Sequence, residues 1–306
     1  MSYSKLKMLP AILVMAATGV VSSHVANAES VLDKVVRDKK IIVGTRESAP
    51  PYAYIDAQGN WVGWSLDLSR ALHGIIEQKL DAKLELEFKP VTPQTRIPLV
   101  VNGTVDWVLG TTGNTIARED VIDFSAINNA VCVKKLVPAG SDIHATKDMA
   151  GKRIGVTKGS VEERLITSMG ESGELNPPAQ VVTFDKHSTG FIALSQGKTD
   201  AHVTLDDTLL SIARKSPDPK AWDVRGPDLF CIPNGILLPE NDSNWRDMVN
   251  QSLCYFIVTG GYDKLYDEWF AGDAPKAGYT RVQSAELKTI IHGQCPYGSE
   301  TFLTKN

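Results

Sequence analysis

The sequence predicts an α/β protein of two units, with the chain crossing between them twice. Three observations carry that prediction. Short apolar runs such as Lys40–Thr45 and residues 105–109 alternate with stretches in helical spacing, as in a mostly parallel sheet covered by helices. The alternation begins again at Arg153–Thr157 after an apolar passage over 125–138. Beyond Gly226, a strand at 235–238 and two further helices bring the chain back to complete the first unit.

Each element follows from its residues. KIIVGT is a buried-type strand ending at Arg46. Pro50 and Pro51 enforce an extended turn, after which Tyr52 and Tyr54 share a face. From Ser65 onward, Leu68, Ala71, Leu72, Ile75, Ile76 and Leu80 keep helical spacing. Leu84, Leu86 and Phe88 alternate with acidic residues, the pattern of a half-exposed strand. A short helix then carries Arg96 with Ile97, Leu99, Val100 and Val101, and Asn102-Gly103 turns the chain into the strand at 105–109. Trp61, Trp64 and Trp107 read as packing residues.

Gly140-Ser141 is the passage into the second unit. Its strand Arg153–Thr157 reaches a helix at Ser160, where Ser160 and Glu163 have capping-box spacing. Strand Gln180–Phe184 precedes a helix over 187–196, and strand Ala201–Leu205 precedes one opening on Asp206-Asp207. Residues 215–220 form a surface loop, and helices over 244–258 and 262–270 close the first unit. The domains are therefore read as 29–131 with 232–306, and 132–231.

Ligands of open α/β sheets bind beyond the carboxyl ends of the strands. The strand at 105–109 stops at Gly110-Thr111-Thr112-Gly113-Asn114-Thr115, between Arg96 and Arg118. Glycine lets backbone approach closely, the hydroxyls of Thr111 and Thr112 donate neutral hydrogen bonds, and guanidinium forks match a carboxylate. The loop suits a small carboxylate.

The first residues read as a targeting segment. Lys5 and Lys7 precede an apolar run over 8–21, and Ala26-Asn27-Ala28 is a cleavage motif, so 1–28 is expected to be removed as a signal peptide. The run is shorter than the roughly 18–20 residues needed to span a membrane. Losing Lys5 and Lys7 takes the formal charge from −4 to −6. With no basic block, nucleic acid is excluded as a partner. An exported chain favours disulfides among Cys132, Cys231, Cys254 and Cys295, which allow three pairings. Cys132–Cys231 is favoured because both lie at the expected crossings, and Cys254–Cys295 because it would pin the C-terminal tail. No zinc spacing, P-loop, dinucleotide fingerprint or G-x-S-x-G occurs, so no metal and no cofactor are expected.

Several segments resemble the periplasmic amino-acid-binding proteins of ABC importers, in their glutamate/aspartate-binding branch. They are IIVGTRESAPPYAYIDAQGNWVGWSLDLSRAL, TRIPLVVNGT with the GTT and Arg118 that follow, MAGKRIGVTKGS, DKHSTGF, LDDTLL and GGYDKLYDEWF. The resemblance implies the bilobal periplasmic-binding-protein fold, two α/β domains joined by two crossing strands, which shut by hinge motion around a ligand. It implies a periplasmic, monomeric receptor that hands an acidic amino acid to a membrane permease. Arg118, supported by Thr111, then holds the α-carboxylate, and Asp206 takes the α-ammonium, with Asp207 as understudy. Arg46, Arg96 and His187 meet the second carboxylate, Thr157 and Ser160 supply hydroxyls at a helix N-terminus, and Tyr52 forms an aromatic wall.

Three departures stand out. The chain is one residue longer between Asp200 and the acidic pair, which leaves open which Asp serves. Pro93 and Gly113 stand where relatives carry a hydroxyl and a threonine, implying weaker binding or a bulkier dicarboxylate. The enzymatic alternative is a dehydratase or lyase on the same fold acting on a small carboxylic acid, with Glu47 beside Arg46 as its acid or base.

Overall fold

The computed structural model describes residues 29–304; the expected signal peptide lies outside them. Helix α1 (Val31–Asp38) precedes strand β1 (Lys40–Thr45) and a small antiparallel sheet of β2 (Ser48–Ala49), β3 (Ala53–Ile55) and β4 (Trp61–Val62). Then come α2 (Trp64–Leu80), β5 (Glu85–Pro90), α3 (Arg96–Val101), β6 (Trp107–Val108), α4 (Ile116–Glu119) and β7 (Asp123–Phe124). The long β8 (Asn129–Pro138) opens a second series, with β9 (Arg153–Thr157), α5 (Val161–Glu171), β10 (Gln180–Phe184), α6 (His187–Ser195), β11 (Ala201–Leu205) and α7 (Asp206–Lys215). The chain returns through β12 (Trp222–Asn234) to β13 (Leu237–Leu238), α8 (Ser243–Val258), α9 (Gly261–Tyr266) and α10 (Ala285–Gly293).

Two five-stranded sheets result, in the orders β5-β1-β6-β13-β7 and β10-β9-β11-β8-β12. In the first, β1 is parallel to β5 and β6, while the returning β13 runs antiparallel to β6 and β7. In the second, β9 is parallel to β10 and β11, and β8 is antiparallel to β11 and β12. The chain is a two-lobed α/β protein, its lobes connected through the region where β8 begins and β12 ends.

Alternate residues of β1 bury Ile41 and Val43 with Leu68, Leu72 and Ile76 of α2 and with Trp245, Val249 and Leu253 of α8. The opposite face of that sheet packs Val108 and Leu237 on Val100 of α3. Trp107 stacks on Trp245 at 5.4 Å, and the Trp245 indole N–H donates to Asp106 O at 2.9 Å. Helix α2 starts one residue earlier than its spacing predicts, because Gly63 takes φ 142° where a Cβ would overlap the Tyr52 carbonyl. Only glycine tolerates that approach.

The sequence reading overlooked α1 and α10 and most of β12. Gly226 and Pro227 look like a break, yet β12 continues through them by a register shift between Arg225 and Phe230, a bulge that absorbs the mismatch. The predicted helix over 262–270 closes with a wider π-type turn at Asp267–Ala271. Cys231 sits directly opposite Cys132 on β8 and β12 and is bonded to it, and Cys254 of α8 is bonded to Cys295 just after α10. Both favoured pairings are the ones observed. No helix among the described residues is long and apolar enough to cross a membrane.

Candidate ligand-binding site

In the first sheet the chain moves from β1 outward to β5 and then back past β1 to β6, which opens a crevice between the carboxyl ends of β1 and β6. Arg46 follows β1 and Thr111 follows β6. The second sheet repeats the device with β9, β10 and β11, placing Thr157 and Leu205 at the matching ends. The two crevices meet in one cavity of about 380 Å³ of empty space, including its mouth. Arg46, Arg96, Thr111, Gly113 and Arg118 line it from one lobe, and Thr157, Ser160, Glu162, His187 and Thr204 from the other.

The three arginines are 4, 3 and 4 % exposed, in chain order. None has a carboxylate of the described residues within ion-pair distance. Arg96 Nη1 donates to Thr112 Oγ1 at 2.8 Å and to Thr111 O at 3.4 Å, and Arg118 Nη1 donates to Gly113 O at 2.6 Å. Arg46 Nη2 and Arg96 Nε are buried with no hydrogen-bond partner, as is Asn234 Oδ1 in the same lining. Burial pulls the pKa of Arg46 and of Arg118 down to about 10. Arg96 is lowered well below the usual arginine value by burial and then by Arg118 and Arg46. Even so, a guanidinium at about 10 stays charged near neutrality. The cavity therefore holds three guanidiniums against the single carboxylate of Glu162, an excess of positive charge that is costly unless a guest anion enters.

The facing wall is polar. Ser160 caps α5, its hydroxyl accepting from Glu163 N at 3.2 Å. The return half of the expected capping box shifts by one residue, because Glu163 accepts from the Gly159 N–H instead. Glu162 is thus free to turn inward, where it is buried and accepts a long 3.4 Å hydrogen bond from Thr204 Oγ1. His187 begins α6 with Nδ1 2.9 Å from Thr157 Oγ1. Burial, Arg46 and His202 hold its imidazole well below the usual histidine range, so it is neutral at physiological pH.

Not every residue singled out in the sequence reaches this lining. Tyr52 is buried against Trp64 and Phe270, and its hydroxyl donates to Asp207 Oδ2. Thr112 lies behind Arg96 and orients it. Asp206 caps the backbone N–H of Asp207 at 2.8 Å and does not line the cavity. Asp207 is buried in an ion pair with Arg281, whose second Nη donates to Ala130 O at 3.1 Å. Glu47 pairs with Lys186 at 2.7 Å and is also absent from the lining. Pro93 is present in it. At Gly113 any Cβ would overlap Ile232, so Ile232 fills space that a loop side chain would take.

Glu162 escaped the sequence reading, although Glu163 at the capping-box position leaves its neighbour without a structural task. Among the described residues the only cluster with metal-ligand spacing is Cys132, Asp228 and Cys231, and its two sulfurs share a disulfide.

Comparison with known proteins bears on what such a cavity does. Residues 41–272 match the model of the bacterial extracellular solute-binding proteins, family 3. The chain is 31% identical to a glutamate/aspartate import solute-binding protein of Salmonella typhimurium, over 88% of this chain and 90% of that one. It is 29% identical to an L-glutamate/L-aspartate-binding protein of Pseudomonas aeruginosa, over 85% and 87%. Among solved structures, an ancestral arginine-binding protein bound to arginine superposes with a TM-score of 0.69 at 29% identity, over 76% of this chain and 99% of that one. A cysteine-binding protein from Campylobacter jejuni shares the fold, with a TM-score of 0.70 at 21% identity, over 81% and 97%.

Proposed function

This chain belongs to family 3 of the bacterial extracellular solute-binding proteins, and from that premise we propose that it captures glutamate or aspartate between its lobes and delivers it to the permease of an ABC importer. It is a binding protein rather than an enzyme, like the import proteins it resembles. Glu47, the residue a dehydratase would need, is engaged by Lys186 and is absent from the cavity lining. The observation that carries the ligand class is the set of three buried guanidiniums with no carboxylate of the described residues within ion-pair distance.

In this reading Arg118, with Thr111 and the loop amides, clamps the α-carboxylate. Arg46, Arg96 and His187 meet the side-chain carboxylate, and the hydroxyls of Thr157 and Ser160 add hydrogen bonds where the N–H groups of α5 favour an anion. Thr112 acts by orienting Arg96, and Tyr52 stays packed against Trp64 and Phe270 outside the lining. The lobes are 29–131 with 232–306, and 132–231, and the protein works as a periplasmic monomer. The Glu47–Lys186 pair joins the two lobes beside the cavity.

Glutamine would leave a buried guanidinium unpaired, at a cost of about 3–5 kcal/mol, or more than about a hundredfold in affinity. Calorimetry against glutamate, aspartate, glutamine and arginine tests this. Tight binding of the two acidic amino acids alone is the expected result. Glutamine or arginine binding as tightly as glutamate would overturn the reading.

A further inference from the structure

The acidic pair opening α7 has no free role in the cavity. Asp207 is held by Arg281 and Tyr52, and Asp206 is turned to the backbone of its neighbour, outside the lining. One carboxylate does line the cavity, that of Glu162, with 5 % of the residue exposed. It has a single long hydrogen bond, from Thr204, and no cationic group of the described chain within 4.0 Å. Three guanidiniums and a carboxylate thus share one small space without pairing. They come from different lobes, the arginines from the loop after β1, from α3 and from α4, the glutamate from the second residue of α5.

Walls that keep opposite charges apart fit a guest that itself carries both. We propose that Glu162 is the acceptor of the ligand's α-ammonium group and so makes the site select amino dicarboxylates over dicarboxylates lacking the amine. This rests on the acidic-amino-acid reading above and adds the residue that reads the amine. Without that amine, a bound dicarboxylate would leave Glu162 buried and unpaired beside it. The preference therefore comes from an unsatisfied group as much as from a new contact.

The test pairs glutamate with 2-oxoglutarate, which keeps both carboxylates and replaces the amine by a keto group. Calorimetry on the full chain should show wild type favouring glutamate by about 10- to 100-fold. Glu162→Gln should remove that preference, chiefly by weakening glutamate, with 2-oxoglutarate held as well as before or better. Glu162→Asp, which retracts the carboxylate by one methylene, should fall between the two and serves if the glutamine variant folds poorly. An unchanged preference in both variants overturns the inference. So does a preference lost in Asp206→Asn but kept in Glu162→Gln. Wild type binding neither compound would instead overturn the acidic-amino-acid reading and Glu162's role with it.

Discussion

Two parts of this molecule draw arginine out of water, one half-buried and one fully buried, and they treat it in opposite ways. Arg281, near the C-terminus, meets Asp207 in an ion pair and also contacts the Tyr52 hydroxyl at 3.3 Å and Ala130 O. Burial lowers its proton affinity, but Tyr52 and Asp207 outweigh burial and its pKa ends raised. Arg46, Arg96 and Arg118 are buried more deeply than Arg281, have only hydroxyl or carbonyl partners or none, and end lowered. The difference separates a structural charge from one held ready for a guest. A chain that can neutralise its own guanidinium does so at Arg281, beyond the segment 41–272 shared with the family. At the cavity no carboxylate of the described residues comes within ion-pair distance of the guanidiniums.

The largest expected effect falls on the cavity. Arg118→Ala should cut affinity for every amino acid by about 100- to 1,000-fold, since breaking a buried charge contact costs about 3–5 kcal/mol. Arg46→Ala or Arg96→Ala should instead erode the margin of glutamate over glutamine. Titration calorimetry reads both, and normal binding by Arg118→Ala would remove the cavity side of the contrast. Stability should respond at the other site. Arg281→Ala leaves Asp207 buried and unpaired, so urea unfolding should show a loss of about 3–5 kcal/mol, while affinity for glutamate moves less than tenfold. A midpoint that stays put would mean that the pair is not structural. The sharpest version reverses sign. Arg96→Met relieves like-charge crowding in the ligand-free protein and should raise its stability by about 0.5–2 kcal/mol, and a loss there would place Arg96 with Arg281 after all.

Much of this was legible before any coordinates. The cavity arginines sit at strand ends or beside the Gly/Thr loop, where sheet topology alone directs ligands, and DKHSTGF set His187 at a helix start. What stayed hidden depended on rotation and on distant chain. Glu162 and Glu163 are adjacent acids at a helix N-terminus, a place where acidic residues are common for the dipole alone. Only the Ser160 cap fixes which of them faces inward. The Arg281–Asp207 pair joins residues 74 apart, and no periodicity in the tail announces it. Asp206 and Asp207 lie outside the lining, which a motif match does not resolve. Gly226-Pro227 concealed a strand because a bulge, visible only with its partner strand, carries it through.

The smallest effect tests the contrast between neighbours. Asp207 has its cation; Asp206 does not, and burial followed by Asp207 pushes its carboxyl up to about 6. The folded protein then keeps that proton between about pH 4 and 6 while the unfolded chain has released it, so this group makes stability fall as pH rises through that window. His202 works the other way. Burial holds it down to about 4, so the unfolded chain binds the extra proton up to its ordinary 6.5 and stability rises with pH. His187, also lowered, adds to the rise. Asp206→Asn should therefore steepen the upward slope by as much as about 1.4 kcal/mol per pH unit within the window, read from urea midpoints across it. Saturating glutamate should leave that increment unchanged, because Asp206 lies outside the cavity lining. An increment that vanishes when glutamate is present would place Asp206 against the ligand and undo the separation between the waiting charges and the paired ones.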